Sequence, residues 1–228
     1  LFRHLDLRPG QVRIVSAGET GGEVAQEFGG SFTPQALTRE NDLEVLEPYL
    51  NKGDFLLNLS VDVSSLALIE LCHRRGSLYL DTCIEPWLGG YTDPSLTPSL
   101  RSNYALRDPA LDIGRQTGGG PTAVLSHGAN PGLASAFVKQ ALLNIAADTG
   151  LSVDVPAHRD DWAQLARALN IKVIHIAEQD TQVSSRHKQE DEFVNTWSVF
   201  GFAGEGLQPA ELGWGTHERY WPQDGLRH

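Results

Sequence analysis

Two stretches in the last quarter of the chain carry side chains suited to holding a small organic cation. They are HIAEQDT at 175–181 and VNTWSVFGFAGEG at 194–206, and they offer Glu178, Trp197 and Glu205. An indole face attracts an ammonium group by about 0.5–2 kcal/mol. A carboxylate adds a charge-assisted hydrogen bond. Plainer readings stand beside this one. Trp197 lies in a β-like run, and its residue type favours an ordinary core aromatic. Glu178 follows the apolar residues Val173, Ile174 and Ile176, and Glu205 sits between two glycines, so either can simply be solvated.

A second set of polar residues falls where strands should end. Ser16 and Glu19 close the first apolar run. Asn58, Leu59, Ser60 and Asp62 close the third. Asp81, Thr82 and Glu85 close the fourth, and Ala129 and Asn130 follow a later one. Ligands of open α/β sheets bind outside the carboxyl ends of the strands. Any one polar strand end is equally explained by solvent; four on one rim favour a ligand. Asn130 has two readings that residue types leave open. It is a strong N-cap directly before Pro131, which suits the first helical position, or its amide faces a ligand. The eight histidines show no close metal-ligand spacing, and there is no G-x-S-x-G or Cys/His nucleophile pattern, so neither a metal nor an acyl-enzyme is expected.

The elements that must position these residues alternate. Residues 12–17, 31–37, 55–61 and 77–84 read as strands, and 21–28, 43–50 and 64–75 as helices, the last stopped by Gly76. Short alternating strands and helices predict a parallel sheet with right-handed crossovers, a doubly wound α/β fold. Residues 91–120, with three prolines and a GGG tip, predict an excursion with one helix around 98–106. A strand at 122–129 and helices at 131–149 and 160–169 follow. Two strand-like segments, 172–177 and 192–199, place the start of a second domain near Gly150. The expected division is therefore 1–150 and 151–228.

The chain of 228 residues carries 29 acidic and 18 basic side chains, a net charge of −11. Such a surface repels nucleic acid and anionic membranes and favours cationic ligands. No apolar run approaches the roughly 20 residues needed to span a bilayer, and no signal peptide is visible at the start. Cys72 and Cys83 both lie in apolar stretches, as buried free thiols in a reducing compartment would. The chain contains no Met and starts on a helix-like remnant followed directly by a strand. An internal piece of a longer protein is the expectation.

NLSVDVSSL (58–66), YLDTCIEPW and YTDPSLTPSLRSNYALR (within 79–107), HGANPG (127–132), FVNTWSV and EGLQPAELGWGT (within 193–216) together resemble bacterial homospermidine synthase. That family is itself similar to saccharopine dehydrogenase-type reductases. The resemblance implies a Rossmann-type domain, here N-terminally truncated, followed by part of an α+β substrate domain, in a cytoplasmic homodimer. It implies bound NAD that takes a hydride from putrescine and returns it to an imine, giving homospermidine. Spermidine is a further candidate donor. By motif, substrate-site residues fall on Asp62, Glu85, Asn130, Glu178, Trp197 and Glu205, and the resemblance tips Asn130 towards a site residue that is also a cap. Cofactor contacts fall on Asn58, Leu59, Ser60, Thr82 and Ala129. Ser16 stands where the family places an acid for the adenosine ribose, so either Glu19 substitutes or a 2′-phosphate is tolerated. The glycine-rich G-x-G-x-x-G turn has no counterpart in this sequence. A saccharopine or carboxynorspermidine dehydrogenase would need a basic residue for its substrate carboxylate, and none of the substrate-site residues the resemblance implies is basic. A non-catalytic NAD or polyamine sensor is disfavoured by the full set of acids.

Overall fold

Phe55–Asn58, Leu78–Asp81 and Ala123–Val124 are short apolar runs that pair side by side as parallel strands β3, β4 and β5. Arg13–Ser16 (β1) and Ser31–Pro34 (β2) form a separate parallel pair. These relations come from a computed structural model that describes residues 1–194, 199–207 and 223. The strands are joined by α1 (Gly22–Glu27), α2 (Asp42–Leu46), α3 (Ser65–Arg75) and α4 (Asn103–Thr117); α5 (Leu133–Asp148), α6 (Arg159–Ala168) and α7 (Val199–Leu207) follow. Dinucleotide-binding sheets have the strand order 3-2-1-4-5-6. The pairs β2-β1 and β3-β4-β5 reproduce that order on either side of its innermost strand, and no described strand pairs with the outer edge of β1 or of β3.

The fold is held by α3. Its Ser64 hydroxyl accepts from the Ala67 N–H at 3.3 Å, and Gly76 closes it at φ 72°, a left-handed conformation that costs glycine little. Between these caps Leu68, Ile69, Leu71 and Cys72 point into one core with Tyr79 of β4 and Ala110 of α4. Full burial of each large aliphatic contributes about 1.5–3 kcal/mol. The excursion of 91–120 contains more helix than its prolines suggest. A 3-10 turn (Pro98–Arg101) leads into α4, which Ser102 caps through the Ala105 N–H at 3.3 Å. Pro109 lies inside that helix and Gly118 ends it at φ 63°.

A smaller core joins α5 to α6 through Leu142, Ala146 and Leu165. Beyond α6 the structure departs from expectation. Residues 172–177 form no strand, and Val173 is 81% exposed. An apolar run becomes a strand only by pairing its backbone groups, and this one pairs with no described strand. The expected strand at 192–199 is not formed at 192–194; 195–198 lie outside the described residues, and Val199 begins α7. The expected strand at 122–129 is likewise cut to Ala123–Val124, because Ser126 turns into the left-handed region at φ 53°.

Candidate functional site

Asn58 and Asp81, the last residues of β3 and β4, are partners in register. Both are buried, as is Tyr79 between them. Tyr79 and Asp81 are two apart on one strand and so share a face. The Tyr79 hydroxyl donates to Asp81 Oδ2 at 2.9 Å and accepts from Asn58 Nδ2 at 3.1 Å. Asn58 Oδ1 in turn accepts from the Ser60 N–H at 3.1 Å and from the Ser60 hydroxyl. The other Asp81 oxygen accepts from the Ser126 N–H at 2.5 Å, and its backbone carbonyl from the His127 N–H at 2.9 Å. Burial raises the Asp81 pKa; the Ser126 N–H and the Tyr79 hydroxyl, bonding the anion, hold it lower. Burial also pushes the Tyr79 phenol well above its ordinary range.

Glu85 stands a few residues past the end of β4. Its backbone is tied to the start of α3: the Glu85 N–H donates to Ser65 Oγ at 3.0 Å and its carbonyl accepts from the Ser65 N–H at 2.9 Å. The Glu85 carboxyl is pushed up to about 7, chiefly by burial and further by the charges of Asp62 and Asp81. Bonds from the Asp62 N–H and the Cys83 thiol offset part of this. Asp62 holds a left-handed backbone, φ 62°. One carboxylate oxygen of Glu85, Oε2, is buried with no hydrogen-bond partner among the described residues. A buried carboxylate in this position takes up either a proton or a cation.

The segment at 128–132 is arranged differently from the expected cap. The carbonyls of Gly128 and Ala129 accept from the Leu133 and Ala134 N–H groups, each at 2.9 Å, and Gly128 N–H donates to Pro131 O at 2.8 Å. Helix α5 therefore starts at Leu133 with Gly132 at its N-cap, φ 128°, and no side-chain cap. Asn130 does not cap it, because backbone carbonyls already satisfy the first N–H groups; the Asn130 side chain is exposed, as is Ala129. The peptide between Asn130 and Pro131 is cis. A Cβ added to Gly128 would come within 2.9 Å of the Thr82 carbonyl, so the loop carrying Ala129 and Asn130 lies directly against the end of β4.

The remaining candidates are scattered. Leu59 is 65% exposed beside the buried Asn58, an apolar surface on an otherwise polar rim. Ser16 ends β1 at half-exposure, its carbonyl accepting from the Gln35 N–H at 2.7 Å, and Glu19 lies exposed beyond it. Glu178 is exposed and makes no hydrogen bond or ion pair among the described residues. Glu205 falls within α7 by its backbone, while its side chain and all of Trp197 lie outside the described residues. Asn58, Ser60, Asp62, Thr82, Glu85 and Ala129 are thus gathered at one rim. Sequence reasoning missed Tyr79 and Ser65 behind them and read Asp81 only as a polar strand end, although the period-two spacing of Tyr79 and Asp81 in LYLD was a usable signal.

Residues 1–124 match the saccharopine dehydrogenase NADP binding domain, and residues 128–228 match the saccharopine dehydrogenase C-terminal domain. The chain belongs to the saccharopine dehydrogenase family. The rim described above is therefore the carboxyl edge of a Rossmann-type dinucleotide-binding sheet. Within the saccharopine dehydrogenase family, the chain is 51% identical to the homospermidine synthase of Blastochloris viridis, over 99% of this chain and 48% of that protein. It is 45% identical to the homospermidine synthase of Mesorhizobium japonicum, over 99% of this chain and 48% of that one. The crystal structure of the homospermidine synthase of Legionella pneumophila in complex with NAD superimposes with a TM-score of 0.84 at 48% identity, covering 100% of this chain and 47% of the other. The chain spans about half the length of the curated relatives it matches. No described helix is long and apolar enough to cross a membrane.

Proposed function

We propose that the full-length protein is a homospermidine synthase that uses NAD to transfer an aminobutyl group between diamines. The observation that carries this reading is the buried Oε2 of Glu85, without a hydrogen-bond partner among the described residues and flanked by the charges of Asp62 and Asp81. Such a site favours an ammonium group over an amino acid's carboxylate. The two homospermidine synthases that resemble the chain at 51% and 45% identity support it.

The residues at the rim fit a dinucleotide. Asn58, Ser60 and Thr82 supply polar groups, Leu59 an apolar face, and Gly128 lets the following loop approach where a side chain would collide. Asn58, Leu59, Ser60, Thr82 and Ala129 would hold the nicotinamide half, and Glu19 beside Ser16 the adenosine ribose. Bound NAD supplies the acceptor for the hydride leaving an amine carbon and the donor for its return.

This chain's own side chains do the rest. Glu85 and Asp62 bind the ammonium end of the diamine, and Asn130 orients the reacting amine. Trp197 faces the cationic iminium carbon and stabilises it. Glu178 or Glu205 removes a proton from the amine and returns one to the product. Loss of hydride and proton leaves an imine; a second diamine adds through its free amine, ammonia leaves, and reduction of the new imine gives a secondary amine. Two molecules of putrescine thus yield homospermidine and ammonia with no net redox change. Spermidine is a second candidate donor. Residues 1–150 would carry the nucleotide and 151–228 open the substrate-binding part of a cytoplasmic homodimer. The test is incubation of the full-length protein with putrescine and NAD, followed by mass spectrometry of the amines. Homospermidine without NADH build-up supports the reading; NADH accumulation without homospermidine identifies a simple dehydrogenase.

A further inference from the structure

The rim is backed by a directed chain of hydrogen bonds. A carboxylate only accepts, so Asp81 obliges the Tyr79 hydroxyl to donate to it at 2.9 Å. The phenol oxygen is then left as the acceptor for Asn58 Nδ2 at 3.1 Å. That fixes which way the Asn58 amide points: its N–H groups face inward and Oδ1 faces the rim, where it receives the Ser60 N–H at 3.1 Å. The second Asp81 oxygen simultaneously fixes the Ser126 N–H at the start of the loop leading to Ala129. Tyr79 and Asp81 are wholly buried and touch no solvent. One carboxylate thereby sets the polarity of the β3 tip and the position of the segment after β5. A neutral amide in its place could donate as well as accept and would leave both orientations open.

We propose that Tyr79 and Asp81 are positioning residues for the cofactor: they act through Asn58 and Ser126 to hold the nucleotide-contacting rim in its binding geometry. This rests on the reading that Asn58, Ser60 and Ala129 contact the dinucleotide. The chain's direction makes the prediction specific. Removing only the phenol oxygen takes the inward anchor from Asn58 Nδ2, leaving the amide held from the Ser60 side alone, while the ring still fills the core, so the loss falls on cofactor affinity rather than on packing.

The experiment compares Tyr79→Phe, Asp81→Asn and Asn58→Ala in the full-length enzyme by NADH fluorescence titration, with kcat, KM for putrescine and Tm measured alongside. The expected result is an NADH Kd raised about tenfold in Tyr79→Phe, as loss of a buried hydrogen bond allows, with KM for putrescine changed less than twofold. Asp81→Asn should weaken NADH at least as much. A purely structural role lowers Tm and leaves Kd in place. If Asn58→Ala loses NADH affinity and Tyr79→Phe stays within twofold of wild type, the positioning role is wrong and the cofactor reading stands. If Asn58→Ala also binds NADH normally, the cofactor reading of the rim is wrong and the positioning role falls with it.

Discussion

The backbone N–H of Asp62 bonds the Glu85 carboxylate while the Asp62 side-chain charge opposes its ionisation. Burial is what lifts the Glu85 pKa to about 7; Asp62 acts on it in both directions, its N–H bonding the anion and its charge opposing it. Asp62 donates this N–H from a left-handed backbone, φ 62°. A cation arriving between the two acids relieves the repulsion, which is the electrostatic basis of the proposed diamine site.

Substrate affinity should therefore depend on pH. As pH rises through about 7, Glu85 ionises and a bound ammonium gains its partner. The KM for putrescine is expected to fall between pH 6 and pH 8. Glu85→Gln should raise KM by about 10–100-fold, the range of a charge-assisted hydrogen bond, and remove this pH dependence. Initial-rate kinetics across that range would check both.

The same group makes a statement about stability. Its folded pKa is raised above the unfolded value of 4.5, so the stabilising protonated form is fully present below about 4.5 and is lost as pH rises through about 7. Without ligand, Glu85→Gln should gain Tm relative to wild type at pH 8 and gain little at pH 5. Added putrescine should shrink the difference. Thermal melts at the two pH values read this directly.

Asp62 separates conformation from charge. Asn tolerates the left-handed region better than most residues. Asp62→Asn should keep the turn and lower the pH midpoint for putrescine binding, because the charge opposing Glu85 is gone. Asp62→Ala should do the same and additionally lose about 1–2 kcal/mol of stability, measurable by denaturant titration.

Gly132 is held at φ 128°, and a Cβ there would meet the Gly128 backbone. Gly132→Ala should cost about 1–3 kcal/mol and displace the loop bearing Ala129 and Asn130. Weaker NADH binding is the expected accompaniment.

Trp197→Phe should retain partial activity and Trp197→Ala lose most of it, since the aromatic face contributes about 0.5–2 kcal/mol to a cation. Equal kcat/KM for Trp197→Ala and wild type would remove Trp197 from the site.

Elements with local signals were legible in the sequence. Ser64 and Gly76 bound α3 at the positions their types dictate, and the runs at 55–58 and 78–81 form the paired strands. Features decided by other segments were not. Asn130 has the residue type of a cap, yet the carbonyls of Gly128 and Ala129 take that role by a chain reversal that no pattern of types announces. Residues 172–177 are as apolar as a strand but pair with no described strand. Polar residues such as Asn58 and Glu85 at the rim were readable from strand ends. The pairing of Asp81 with Tyr79 behind them was not, because a buried phenol–carboxylate pair depends on which neighbours close over it.

The borrowed-hydride transfer is tested most directly by supplying the full-length enzyme with putrescine deuterated at both amine carbons, together with NAD and an excess of unlabelled NADH. The account predicts homospermidine that retains every deuterium of both diamines, because the hydride removed from the amine carbon is the one returned. Homospermidine lacking one deuterium, or labelled NADH with no homospermidine, would contradict it.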